Sequence, residues 1–166
     1  MNNIEKLIEQ ISALKAFIDA RDSSWITIRN TDINLAIEFD RLCEELAKTH
    51  DMRGLLYLLD YFDEEFDLEY EGVLECIQND IGANFTLVQI LEAFYKKFDQ
   101  LITKHVSRAA YFSYWFLDNE MFDDFRKMFN TVKSNQSEKL LNRLDDWADD
   151  DYAEERKLLR EDMKKW

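Results

Sequence analysis

Thirty-five carboxylates, two histidines and two cysteines are the side chains with which this 166-residue chain could do chemistry. Metal binding is the first chemistry to ask about. Asp63, Glu65 and Asp67 have the alternate spacing that opens an EF-hand, but the sixth loop position is Leu68 where a glycine is needed, and the twelfth is Leu74 where a glutamate is needed. His50 and His105 lack a glutamate three residues upstream, so the Glu-x-x-His pattern of helical di-iron bundles is missing. Each histidine falls near an expected helix end, where a cation suits the helix dipole. Cys43 and Cys76 form no C-x-x-C and lie in helix-like sequence, which predicts buried free thiols and not nucleophiles. Nucleophile elbows, phosphate loops and dinucleotide fingerprints are absent. The sequence therefore predicts no catalytic residue, no metal and no cofactor.

Binding chemistry is better represented. "DYFDEEFDLEYEG", Asp60 to Gly72, holds seven carboxylates and four aromatic rings without one lysine or arginine. No basic residue occurs between Arg53 and Lys96, whereas ten carboxylates do, from Asp60 to Glu92. Net charge is −14, of which −12 falls on residues 1–83 and −2 on residues 84–166. A field of that sign repels nucleic acid and anionic lipid and attracts basic proteins. High aromatic content alone would also suit a single-strand binder, but that needs a positive groove beside the rings. Tyr61, Tyr70 and Trp115, near acidic turns, are the candidate interface anchors, with core packing the other role open to each, and most of the twelve phenylalanines are assigned to core.

The elements that position these groups are helices. Proline is absent and glycine occurs three times, too few for a sandwich of tight turns. Ile4, Leu7, Ile8, Ile11, Leu14 and Ile18 mark an amphipathic helix from about Asn3 to Arg21. A second helix starts on Asp32 as cap, turns Phe39, Leu42, Cys43 and Leu46 inward, and ends near His50. Gly54 opens "LLYLLDYF", whose nearly continuous apolar run predicts burial from more than one side. A further helix, Glu69 to Asp80, is expected to stop at Gly82, and Asn84 and Thr86 are candidate caps for the stripe Leu87, Ile90, Leu91, Phe94, Phe98, Leu101 and Ile102. "SRAAYFSYWFL" is the next helix. "DNEMFDDFRKMFNTVK" follows, capped by Asp118 or Asn119, with Phe122, Phe125, Phe129 and Val132 inward. Ser137 with Leu140, Leu141, Leu144 and Trp147 begins another, and "YAEERKLLREDMKKW" is either one more or its continuation.

The predicted fold class is thus all-α, an irregular bundle or a short stack of antiparallel helix pairs with about seven or eight helices, in one domain over residues 1–166. "RGLLYLLDYFDEEF" and "RAAYFSYWFLDNEMFDDF" both run from an arginine through an apolar helix into an acidic, aromatic turn. The second turn adds Asp118, Glu120, Asp123 and Asp124 to the candidates. "LDDWADDDYAEE", Leu144 to Glu155, is a third acidic run, but basic residues return at once in "RKLLREDMKK", so i,i+4 neutralisation on a solvated helix is expected there. The amphipathic start "MNNIEKLIEQ" and the lack of any span-length apolar run predict a cytoplasmic protein without a membrane segment.

The segment from His50 through Leu144 resembles the immunity proteins of bacterial polymorphic toxin and contact-dependent growth inhibition systems. The resemblance lies in "LLYLLDYFDEEFDLEYEGVLECI", an apolar helix running into an Asp/Glu turn and then a Glu-bearing helix, and in "AAYFSYWFLDNEMFDDF". It implies an all-helical, cytoplasmic, non-enzymatic protein that binds a cognate toxin domain. Such a toxin is expected to be basic, and a nuclease cleft would fit. The partner-binding candidates are then Asp60, Tyr61, Asp63, Glu64, Glu65, Asp67, Glu69, Tyr70, Glu71 and Glu75 in the first turn region, with Asp118, Glu120, Asp123 and Asp124 in the second. An acidic DNA-mimic inhibitor and a helical scaffold or secretion chaperone are the alternatives, the first separable by inhibition of unrelated DNA-binding enzymes and the second by weak salt dependence. Oligomeric state has no signature in the sequence.

Overall fold

The computed structural model describes residues 3–20, 33–60, 71–118, 120–147 and 151–166, with only the backbone described at several positions inside the helices. The expected all-α class holds: the described residues form nine helices and no strand. They are α1 (Asn3–Asp19), α2 (Ile33–Ala47), α3 (Met52–Asp60), α4 (Glu71–Asn84), α5 (Leu87–Lys104), α6 (Val106–Phe116), α7 (Phe122–Val132), α8 (Ser137–Trp147) and α9 (Ala153–Met163). The chain divides into two compact units, Met1–Ile90 and Leu91–Trp166, the division falling inside α5.

In the first unit α2 packs on α1, α3 and α4. The stripes read from the sequence supply the buried faces: Ile4, Leu7 and Ile11 from α1, Phe39, Leu42, Cys43 and Leu46 from α2, and Leu55, Leu58 and Leu59 from α3. Leu56 and Tyr57 are half-buried as well, so α3 is covered over most of its circumference, as its continuous apolar run predicts. The Ser12 and Tyr57 hydroxyls, 2.7 Å apart, tie α1 to α3. Gly54 does not open α3 but lies inside its first turn and lets the helix approach α2. A Cβ there would stand 3.1 Å from Leu46 Cδ1 and 3.3 Å from the Leu46 carbonyl oxygen.

Phenylalanine builds the second unit. Phe94 and Phe98 on α5, Phe116 on α6, and Phe125 and Phe129 on α7 are each spaced four apart on their helix or set against such a pair, and all are buried. Phe94 meets Phe98 edge-on at 5.5 Å between ring centroids, Phe116 at 5.7 Å and Phe125 at 6.2 Å. Phe116 and Phe125 stack at 5.7 Å with 23° between their planes. The sequence assignment of most phenylalanines to core therefore holds, with Phe17, 47% exposed, as the described exception. α8 packs on α6, and α9 on α7 and α8.

Helix ends depart from the sequence reading at Gly82 and at the start of α7, while the start of α5 agrees with it. Gly82 is not a stop: α4 runs through it to Asn84, whose side-chain Nδ2 donates to the Asp80 carbonyl at 2.8 Å. Between the two cap candidates for α5, Thr86 takes the role in a reciprocal box. Gln89 Oε1 accepts from the Thr86 N–H at 2.9 Å, and the Gln89 N–H donates to Thr86 Oγ1 at 3.3 Å. α7 is preceded by Met121, which offers no side-chain cap, and not by Asp118 or Asn119, the latter lying outside the described residues, as does Asp32. Asp118 instead contributes its carbonyl, which accepts from the Met121 and Phe122 N–H groups at 3.0 Å each.

Left-handed residues without glycine finish or start other helices: His50 (φ 52°), Lys133 (φ 47°) and Tyr152 (φ 53°). Lys133 caps α7, its N–H donating to the Phe129 carbonyl at 3.1 Å while its side chain is exposed. Glycine adopts this conformation without the Cβ penalty, so Lys133→Gly is expected to stabilise the protein by about 0.5–1 kcal/mol. Urea unfolding checks this, and an unchanged or lowered midpoint would contradict it.

Candidate functional site

The fourteen partner-binding candidates fall into two groups with different standing. Tyr61, Asp63, Glu64, Glu65, Asp67, Glu69 and Tyr70 lie outside the described residues. Asp60 ends α3 and is half-buried, Glu71 is the first residue of α4, and Glu75 lies one turn further on, its side chain and that of Glu71 outside the description. The second group is fully placed. Asp118 and Glu120 are exposed in the turn between α6 and α7, and Asp123 and Asp124 are exposed in the first turn of α7.

The α6–α7 corner holds these four carboxylates outward because everything between them points inward. Leu117, Met121, Phe122 and Phe125 are buried, which fixes the rotation of α7 and leaves Asp123 and Asp124 no choice but solvent. Both also favour the helix itself, since anions at an N-terminus complement the dipole. Glu120, Asp123 and Asp124 make no ion pair among the described residues. The cation that follows them, Arg126, feels Asp123 but is held by Asp162 through Nε at 2.6 Å and Nη2 at 2.9 Å.

Several acids on α2 and just before α3 are compensated. On α2, Glu38 and Glu45 both engage Arg41, and Glu44 engages Lys48. Asp51 accepts from Arg53 Nε at 3.0 Å. These pairs are exposed and add little stability, but they set three of the four α2 carboxylates against a cation. Asp80 on α4 is different: burial, then the neighbouring Glu44 and Asp40, push its carboxyl up to about 6, with Lys48 opposing. Among the described residues no group of three or more histidine, cysteine or acidic side chains is arranged to hold a metal ion.

The aromatic anchors are mixed. Tyr61 and Tyr70 are outside the description. Trp115 is half-buried at the end of α6, 5.4 Å from Phe112 and 6.2 Å from Tyr111, and Tyr111 is 41% exposed. Tyr111 is thus the more accessible ring of the pair, a position the sequence reading passed over because only Trp115 adjoined the acidic turn. Tyr114 is committed to α9's approach: its hydroxyl donates to Asp151 Oδ2 at 3.0 Å and its ring meets Tyr152 edge-on at 5.0 Å.

The remaining reactive groups have structural settings. Cys43 is fully buried, and burial pushes its thiol well above the range in which a thiolate forms. The Cys76 side chain lies outside the described residues. Both histidines sit at helix ends, as expected from the sequence: His50 beyond α2, with Nδ1–H donating to the Asn84 carbonyl at 2.6 Å, and His105 immediately before α6. Among the described residues no helix is long and apolar enough to cross a membrane. No family model, curated protein or solved structure matches the chain.

Proposed function

We infer that the chain is a non-enzymatic cytoplasmic binding protein that neutralises a basic toxin domain, in the manner of an immunity protein, by presenting carboxylates to its positive surface. The observation that carries this reading is the α6–α7 corner: four exposed carboxylates on a rigid aromatic base, with Glu120, Asp123 and Asp124 unneutralised within the described residues. The acids steer the partner and set the association rate, while a ring such as Tyr111 supplies contact that can be desolvated. Asp60, Glu71 and Glu75, with the acidic stretch between them, extend the same chemistry in the first unit. The net charge of −14 suits a basic protein and opposes nucleic acid.

The test is capture from a native lysate on immobilised protein at low salt, followed by association kinetics with the retained partner. A variant carrying Asp118→Lys, Glu120→Lys, Asp123→Asn and Asp124→Asn is expected to associate at least ~10-fold more slowly at low salt, the difference shrinking as salt is raised. The two positions inside α7 are neutralised and not reversed, so that the helix start is disturbed least. Retention of a basic protein at an unchanged rate by this variant would refute the corner as the docking face.

A further inference from the structure

In a protein so acidic, one groove has the opposite charge. A cavity of about 320 Å³ opens along α9, where Arg156, Lys157, Arg160, Glu161 and Lys164 recur at three- and four-residue steps and so share one face, with Asp145 of α8 opposite. Those six residues comprise four cations and two carboxylates, a net charge of +2. The volume lies within the range of small-molecule sites, roughly 300–1,000 Å³.

The cations are held in different ways. Arg156 is buried, with Nη1 donating to the Leu144 carbonyl at 3.0 Å and Nε 3.3 Å from Asp145 Oδ1. Arg160 uses Nη2 for both of its bonds, to Asp145 and, at 3.1 Å, to Asn142 Oδ1. Its Nε and Nη1 make no hydrogen bond among the described residues. Asp145 therefore orients two guanidinium groups while consuming one charge. Lys157 reaches only the exposed Glu154 at 3.4 Å, and Lys164 makes no ion pair among the described residues. Glu161, the second carboxylate, also lies in the field of Arg126. What remains is an oriented arginine whose Nη1 and Nε are unused among the described residues, with two exposed ammonium groups around a ligand-sized space.

We propose that this α8–α9 groove binds a phosphate dianion, free or as the monoester group of a small organic molecule, with Arg160 donating from Nη1 and Lys157 and Lys164 supplying the remaining donors. Phosphate chemistry is favoured over a single carboxylate because the net charge of the lining matches a group of charge about −1.5 to −2 at neutral pH. This site is independent of the toxin-binding reading and of the α6–α7 corner.

The test is titration of the full chain with inorganic phosphate and with glycerol phosphate, against chloride at matched ionic strength, followed by amide chemical shifts and by thermal midpoint. Saturable shifts confined to α8 and α9, absent with chloride, are expected. Arg160→Gln and Lys164→Gln should each weaken binding about tenfold, while Lys133→Gln on α7 leaves it unchanged. Lys164 is exposed, so its variant keeps the fold and reads binding alone. Tighter binding of glycerol phosphate than of phosphate assigns an organic monoester as the ligand, and equal or weaker binding assigns the free ion. Shifts that chloride reproduces, or affinity that survives both groove substitutions, would overturn the site.

Discussion

Phe125→Ala is expected to lower the stability of the second unit by about 3–5 kcal/mol, a large share of the 5–15 kcal/mol typical of a folded protein. The ring is fully buried and touches three others: Phe116 stacked at 5.7 Å, Phe94 at 6.2 Å and Phe129 at 6.3 Å. Removing it takes away its own burial and opens a cavity between α5, α6 and α7 that neighbouring rings, locked by one another, cannot close. Phe125→Leu keeps most of the volume and should cost about half as much. Phe17→Ala, at an exposed ring, should change stability by no more than ~0.5 kcal/mol. Urea unfolding followed by far-ultraviolet circular dichroism reads all three, and tryptophan fluorescence adds a local report on the Phe125 variants, since Trp166 lies 5.2 Å from Phe129. A loss below 1 kcal/mol for the alanine variant would mean that the rings are not the core they form on geometric grounds. Because Phe125 lies one residue from Asp124, the same experiment measures how firmly the acidic corner is held.

How much of this was readable beforehand follows from the distance over which each feature is specified. The stripes of α1, α2 and α5 repeat every three or four residues, so Ile4, Leu7, Ile11, Phe94 and Phe98 announce their burial locally. The stripe of α5 begins one position late, with Leu87 in its first turn 41% exposed. Helix ends were poorly marked because three are set by His50, Lys133 and Tyr152 in left-handed geometry, where the cost of a Cβ is met by the packing on either side. Conversely Gly82, the most conspicuous stop signal, lies inside the last turn of α4, which runs two residues past it. The similar segments from Arg53 and Arg108 diverge at that first residue, for Arg53 is exposed beside Asp51 and Arg108 is buried. In the carboxy-terminal acidic run, charge compensation is mostly between helices and not along one: Asp145 reaches Arg156 and Arg160, and Asp151 reaches Tyr114. No short-range pattern encodes such pairs, although the cations of the groove, Arg156, Lys157, Arg160 and Lys164, do recur at helical spacing.

Asp162 illustrates the same point with a large electrostatic effect. It is the buried centre of a network joining α9 to α7: Arg126 grips it with two bonds, Asn130 Nδ2 donates at 2.8 Å and Lys165 Nζ at 3.2 Å, while Trp166 Nε1 donates to Asn130 Oδ1 at 2.9 Å. These donors, Arg126 first, hold its carboxyl well below the usual carboxylate range against the opposing effect of burial. Asp162→Asn should therefore destabilise the protein by about 2–3 kcal/mol at neutral pH, less than a fully buried pair would show because the Arg126 side chain is 32% exposed. A depressed carboxyl contributes stability that is complete above its unfolded value of 3.8 and disappears as pH falls below that value towards the folded one. The gap between wild type and Asp162→Asn should accordingly be constant from about pH 8 to pH 5 and narrow steadily below pH 4. Asp80 provides the opposite sign in the same titration. Its carboxyl, pushed up to about 6 from 3.8, makes the first unit less stable above pH 6, and that penalty is relieved as pH falls from 6 to 4. The two effects occupy separate pH windows and separate units, so unfolding curves at pH 7, 5 and 3 distinguish them. A gap for Asp162→Asn that stays as wide at pH 3 as at pH 7 would show that the network acts through packing and not through the charge on Asp162.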